Sequence, residues 1–144
     1  MASVATYLNF ANRTEEAFLF YKEVFGGEFT ELQRFRDIPA QPGMPPLPAE
    51  VEDKLMHVSL PILGGHVLMG TDACPEMGFK LTMGDNVQLS LAPDSREEAE
   101  RLFAALSAGG SVQMPLSEQF WGALFGSCTD RFGVKWMVNL PLKG

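Results

Sequence analysis

The sequence is poor in cysteine, which disulfide-rich and zinc-binding proteins need. It holds two cysteines in 144 residues, Cys74 and Cys128. Two are too few for a disulfide framework, and these two are too far apart for a zinc knuckle. Neither lies beside a histidine that would activate it. We therefore predict two reduced thiols in a cytoplasmic protein.

Positive charge and long apolar runs are also scarce. The net charge is −7 and no block of lysine or arginine occurs, which disfavours a nucleic-acid partner. No apolar run approaches the roughly 20 residues of a membrane span, and no signal pattern opens the chain. With 46% hydrophobic and 20% charged residues, the composition is that of one globular domain over residues 1–144, with no membrane partner.

What the sequence does contain is an internal repeat of strand, helix and three strands. In the first half a helix follows Asn12, whose side chain is predicted to cap it, and a Gly-Gly pair ends it. In the second half Ser95 and Glu98 form a capping box, and a second Gly-Gly pair ends that helix. The repeat predicts one module at about residues 1–84 and another at about 85–144.

The alternation of side chains predicts the strands and the fold class. Each helix covers one sheet face, so the uncovered faces need another partner. We predict an α+β fold in which two βαβββ modules form a curved mixed sheet around a trough, where a small molecule binds. The predicted strands are 4–10, 28–36, 55–61 and 66–71 in module one, and 86–92, 111–114, 121–127 and 134–140 in module two.

The segment from Asp37 to Lys54 is different, because it contains five prolines. Proline excludes a helix interior or a central strand there. Long segments of this kind act as lids, as interface arms or simply as mobile loops. We predict a mobile flap, and the sequence does not decide its role.

Polar residues on the predicted open face of the sheet are the candidate site residues. His57 shares a face with Ser59 and is the best candidate for a general acid or base, because imidazole titrates near neutrality. The alternative is a structural histidine satisfied by one partner. Gln88 and Ser90 alternate with apolar residues and share the face opposite the second helix. We predict that His57, Gln88 and Ser90 line the trough.

An aromatic hairpin near the end of the chain supplies the other candidates. Residues 120–136 repeat an aromatic–Gly pair three times, and a polar turn at Asp130-Arg131 reverses the chain. We predict that Trp121 and Trp136 form aromatic walls of the ligand site. The alternative is that these rings pack in the core around a tight turn.

Several stretches together resemble a known family. FYKEVFGGEF, MHVSL, GHVLMGTDA, EEAERLFAALSAGGSVQMPL and FWGALFGSCTDRFGVKWM are similar to the PhnB-like branch of the vicinal oxygen chelate superfamily, which includes glyoxalase I, bleomycin-resistance proteins and extradiol dioxygenases. The resemblance implies a glyoxalase-like fold, a homodimer and a small-molecule ligand. It leaves two functions open: a binding protein without turnover, and a small-metabolite enzyme of lyase, isomerase or dioxygenase type.

The same resemblance implies positions for a metal and a name for the chemistry. Superfamily enzymes hold a divalent metal at positions that fall near Thr6, Met69, Gln88 and Met137. Threonine and two thioethers are poor ligands for such metals, so we predict no metal and no other cofactor. Members of this branch often carry a 3-demethylubiquinone methyltransferase label. We expect no such chemistry, because no Gly-rich turn joins a strand to a helix.

Overall fold

The computed structural model describes residues 2–39 and 41–142 and divides into two compact units. The first runs up to Thr82 and the second starts at Met83. Each unit has the order strand, helix and three strands, and each forms its own four-stranded mixed sheet. The predicted α+β fold of two βαβββ modules is therefore confirmed. No described helix is long and apolar enough to cross a membrane.

In the first unit, helix α1 covers one face of the sheet, and we call the face that this helix does not cover the open face. The strand order is β1-β4-β3-β2, with β1 and β4 parallel and the other pairs antiparallel. A Cβ at Gly70 would lie 2.5 Å from the ring of Phe18, so the helix packs closely on the face that carries Gly70. The elements are β1 Thr6–Phe10, α1 Thr14–Phe25, β2 Glu31–Arg34, β3 Leu55–Pro61 and β4 Val67–Asp72.

The second unit repeats this arrangement. The strand order is β5-β8-β7-β6, again with one parallel pair, β5 and β8. A Cβ at Gly126 would lie 2.8 Å from the ring of Phe103, so helix α2 packs on that face. The elements are β5 Leu89–Leu91, α2 Arg96–Ser107, β6 Ser111–Glu118, β7 Ala123–Thr129 and β8 Lys135–Pro141.

The two helices begin in different ways. Ser95 caps α2 as predicted, since its Oγ accepts the backbone N–H of Glu98 at 3.1 Å. The other half of the predicted capping box is wrong, because the carboxylate of Glu98 accepts the backbone N–H of Asp94 and not that of Ser95. The predicted cap by Asn12 is wrong. Asn12 has a left-handed φ of 63°, and its amide donates to the carboxylate of Glu76. The buried carboxylate of Asp72 satisfies the first N–H of α1 instead.

Strand boundaries differ from the predicted ones where turns intervene. Strand β5 has only three residues, so Gln88 lies just before it. Strand β7 begins at Ala123 because Trp121 and Gly122 belong to the preceding turn. There Gly122 has φ 87° and donates its N–H to the carbonyl of Gln119. Strand β6 continues to Glu118 through a proline, which edge strands tolerate.

The proline-rich segment is anchored at one point. Residues Ala49–Val51 form a 3₁₀ turn, and Val51 is fully buried in a small cluster with Phe35 and Cys74. Leu47 and Ile38 pack against the same cluster. Residue 40, within the predicted flap, lies outside the described residues. The predicted mobility of the segment stays a prediction.

Candidate functional site

His57 lies on the open face of the first sheet, in the middle of β3. Its neighbour Ser59 lies on the same face, because residues two apart in a strand share a face. Cross-strand pairing places Met69 and Tyr7 on that face too, since Ser59 pairs with Met69 and Met69 pairs with Tyr7. Glu31 pairs with Ser59 from the edge strand β2. Strands β1, β2 and β3 therefore bring polar side chains to one imidazole, with β4 lying between β1 and β3.

The imidazole of His57 has partners at both ring nitrogens. Nε2 lies 3.0 Å from the hydroxyl of Ser59 and 4.0 Å from a carboxylate oxygen of Glu31. Nδ1 lies 3.2 Å from the hydroxyl of Tyr7, and the two rings are tilted with centroids 5.8 Å apart. This is more than the single partner that a structural histidine needs. The group forms a continuous hydrogen-bonded chain, which we call the His57 chain: Ser59, His57 and Tyr7.

Tyr7 keeps its phenol proton at physiological pH. Burial of the ring raises the pKa of Tyr7, and a hydrogen bond with Thr71 acts in the opposite direction. The side chain is nevertheless 49% exposed, so the hydroxyl can meet a molecule from solvent. It therefore serves as a neutral hydrogen-bonding group at the surface end of the His57 chain.

Gln88 and Ser90 lie in the second unit and are both exposed. Ser90 pairs with Met137, and Leu89 pairs with Trp136 on the other face of the sheet. Ser90 and Met137 thus occupy the face away from α2, as predicted for Ser90. Gln88 has the same parity but precedes the strand. Both belong to the second unit, whereas the His57 chain belongs to the first.

The two tryptophans have different environments. Trp121 is 52% exposed and stacks edge-on with Phe120 and Phe125, at centroid distances of 5.1 and 5.9 Å. Phe120 is almost fully exposed. Trp121 therefore presents apolar surface at the β6–β7 turn, which a ligand wall requires.

Trp136 fits the core-packing alternative and not the predicted aromatic wall. It is completely buried, and it lies on the helix-covered face together with Val138 and Cys128. Its Nε1–H donates to the buried carboxylate of Asp130 at 2.8 Å. The physical reason is alternation, since Met137, one residue later, takes the open face. A ligand on the open face does not reach the indole.

Asp130 and Asp72 have structural roles in the fold. Asp130 accepts the backbone N–H groups of Phe132 and Val134, at 2.8 and 3.1 Å, and so closes the β7–β8 turn. Asp72 accepts the N–H of Thr14 at 2.9 Å and that of Leu55 at 2.8 Å. Both carboxylates therefore satisfy backbone or indole N–H groups that are buried in the fold.

Two of the superfamily metal positions, Thr6 and Met69, do not share a face of the first sheet. Thr6 pairs with Leu68, whereas Tyr7 pairs with Met69, so Thr6 and Met69 lie on opposite faces of one sheet. The hydroxyl of Thr6 is bonded to Nε2 of His66 at 2.8 Å. Among the described residues, no three His, Cys, Asp or Glu side chains could hold a metal ion together. Threonine and thioether groups are poor ligands for a divalent metal, and the absence of a metal stays a prediction.

The two cysteines are buried thiols in the native fold. Both are buried, and burial raises the pKa of Cys74 and of Cys128 to about 11. Their thiols therefore stay protonated near neutrality.

Sequence reasoning missed Tyr7 and Glu31. The signal for Tyr7 was present, since Tyr7 alternates with apolar residues in β1 as Ser90 does in β5. The register between strands was the missing information, because only pairing shows that Tyr7, Glu31 and His57 are neighbours.

Comparison with known proteins gives a consistent picture. The profile of the family described as 3-demethylubiquinone-9 3-methyltransferase matches residues 2–139. Protein YjdN of Escherichia coli is 31% identical over 147 residues, covering 95% of this chain and 94% of that protein. The crystal structure of protein PA1353 from Pseudomonas aeruginosa superposes with a TM-score of 0.84, at 41% identity, and covers 99% of this chain and 100% of that one.

Two further structures extend the comparison. A putative 3-demethylubiquinone-9 3-methyltransferase, PhnB protein, from Bacillus cereus has a TM-score of 0.75 at 26% identity, covering 96% of this chain and 99% of that one. A glyoxalase/bleomycin resistance protein/dioxygenase family enzyme from Burkholderia phytofirmans has a TM-score of 0.59 at 19% identity, covering 95% and 98%. This last likeness is one of fold alone.

Proposed function

Because this chain belongs to the family described as 3-demethylubiquinone-9 3-methyltransferase, we propose that it is a PhnB-like member of the glyoxalase/bleomycin resistance/dioxygenase superfamily. We propose further that it binds a small molecule on the open face of its first sheet. The observation that carries this proposal is the hydrogen bonding of His57. The imidazole is partly buried, has partners at both nitrogens and lies on the face that α1 does not cover. Its orientation is therefore held in place, as a ligand-binding side chain requires. The trough predicted from the sequence stays a prediction, and the proposal rests on this face alone.

Methyl transfer is not the function we propose. A nucleotide-like methyl donor needs a Gly-rich turn between a strand and a helix N-terminus. The β1–α1 connection, residues 11–13, and the β5–α2 connection, residues 92–95, contain no glycine. We treat the family description as a name and not as the reaction.

A screen followed by thermal unfolding tests the binding proposal. A ligand at 100 times its dissociation constant stabilises the native state by about 2.7 kcal/mol. His57→Ala should weaken the binding of any hit while the variant keeps its fold. His66→Ala is the matched control, because it removes the other histidine, which bonds Thr6. If His57→Ala unfolds the domain and leaves affinity in the folded fraction unchanged, His57 is structural and the proposal is wrong.

A small-metabolite enzyme is the second candidate function. The observation that favours it is the contact between His57 and Tyr7, since both groups can give and take a proton. An enzyme and a binding protein differ in turnover, so hits from the screen should be incubated with the protein and checked for product. Metal dependence is checked by adding nickel, zinc, manganese or iron to the same reactions.

We also propose that the protein is a homodimer, as the superfamily resemblance implies. Open sheet edges at β2 and β6 offer surface for pairing. Light scattering at tens of micromolar protein should give twice the mass of the 15.8 kDa chain. A monomer under those conditions would count against the dimer and would leave the binding proposal intact.

A further inference from the structure

The His57 chain runs from the interior of the first unit to its surface. Ser59 is 1% exposed, the side chain of His57 is 20% exposed and Tyr7 is 49% exposed. The hydroxyl of Tyr7 is thus the member of the chain that a molecule from solvent reaches first. Histidine lies one hydrogen bond behind it.

The partners of His57 favour one arrangement of protons. A neutral imidazole has one N–H and one acceptor nitrogen. The carboxylate of Glu31 can only accept, and it lies on the Nε2 side together with Ser59. The proton of neutral His57 is therefore favoured at Nε2, and Nδ1 accepts the O–H of Tyr7. In that state the oxygen of Tyr7 offers a ligand an acceptor and no proton, with Thr71 as its other hydrogen-bonding neighbour.

The rest of the open face also favours a ligand that donates hydrogen bonds. Glu31 is the charged side chain nearest to His57 on this face, and it is an acceptor. Arg34, which pairs with Leu55 beyond a register shift in β2, is bonded to Glu15. The titratable groups that face His57 are Tyr7 from β1 and Glu31 from β2. An acidic chain of net charge −7 adds to the preference for a neutral or cationic ligand.

We propose that Tyr7 is the group that meets the ligand, and that its oxygen accepts a hydrogen bond from an amine or hydroxyl of that ligand while His57 holds the phenol proton. This inference rests on the proposed binding function and deepens it. It assigns the ligand a chemical class, small molecules with an N–H or O–H donor, and it excludes carboxylates. It also makes His57 a positioning residue for Tyr7.

The first experiment needs no ligand. The chain has only two histidines, so ¹⁵N-resolved spectra of the imidazoles can be assigned with the variant His66→Gln. We expect neutral His57 to carry its proton at Nε2, and we expect the Nδ1 resonance to move in Tyr7→Phe, which removes only the hydroxyl. A proton at Nδ1 would overturn the inference and leave the binding proposal standing.

The second experiment uses three probes that share a ring: benzylamine, benzyl alcohol and benzoate. Titrations monitored through the resonances of Tyr7 and His57 should show binding of the amine and the alcohol, and at least tenfold weaker binding of benzoate. Tyr7→Phe should weaken benzylamine binding about tenfold, which corresponds to about 1.4 kcal/mol. The melting temperature of the variant shows that it is folded.

The possible failures are distinguishable. Benzoate binding best, with shifts at Tyr7 and His57, would overturn the donor assignment while supporting the site. Shifts confined to residues elsewhere would count against the proposed function itself. Unchanged benzylamine affinity in Tyr7→Phe would show that Tyr7 is not the contact.

Discussion

The carboxylate of Asp130 should be one of the most sensitive positions for the stability of the second unit. It is 3% exposed and accepts three hydrogen bonds, from the backbone N–H groups of Phe132 and Val134 and from the indole of Trp136. Asp130→Ala removes the acceptor and leaves three donors in buried surroundings. This tests directly whether Trp136 is a core residue.

The magnitude follows from the cost of unsatisfied donors. Each buried donor without a partner costs about 1–3 kcal/mol. The two backbone donors lie in a turn, where water can replace part of what is lost, while the indole of Trp136 is fully buried. We therefore expect Asp130→Ala to lower the free energy of unfolding by about 3–5 kcal/mol, a large part of the total for a domain of this size.

Asp130→Asn is the finer perturbation. The amide oxygen can still accept the two backbone N–H groups, but its NH₂ then faces the N–H of Trp136, so two donors oppose each other. We expect a loss of about 1–3 kcal/mol, the cost of one unsatisfied group. In a Trp136→Phe background the same change should cost less, and the difference should be about 0.5–3 kcal/mol.

Urea unfolding followed by far-ultraviolet circular dichroism measures these values without relying on tryptophan. Asp94→Ala provides the control, because Asp94 is an exposed carboxylate and its loss should stay within about 0.5 kcal/mol. An Asp130→Ala variant as stable as this control would refute the assignment of Asp130 as a buried acceptor. Additivity of Asp130→Asn and Trp136→Phe would refute the contact between them.

Three more predictions follow from other contacts. Arg34 holds the pKa of Glu15 below its ordinary value of 4.5, so their pairing stabilises the fold above that pH and is lost as the pH falls through the lowered pKa. Because both side chains are partly exposed, Glu15→Gln should cost less than about 1 kcal/mol at pH 7, and the difference from the parent should vanish in acid urea titrations. Cys74 and Cys128 should resist an aromatic disulfide reagent at pH 8 and react only in denaturant, and fast native labelling would contradict their burial. Asp72→Ala should lower the unfolding free energy by about 2–4 kcal/mol, because it leaves two buried N–H groups without an acceptor. A calorimetric melting temperature equal to that of the parent protein would contradict this.

The sequence by itself determined the fold class and the order of the elements. Capped helices that end in Gly-Gly pairs, with alternating strands between them, are local patterns, and each depends on neighbours along the chain. The capping of α2 by Ser95 is of this kind, because both partners lie within one turn. So is the identification of His57 and Ser59 as residues of one face.

Tertiary structure decided what depends on partners distant in sequence. The start of α1 is satisfied by Asp72, 58 residues further on, so no local pattern at Asn12 could reveal it. The burial of Trp136 depends on which sheet face α2 covers, and the neighbourhood of Tyr7, Glu31 and His57 depends on strand register. Alternation tells which side chains of one strand share a face, but only hydrogen-bonded pairing tells which strands are neighbours, and a site built across three strands is therefore a property of the fold.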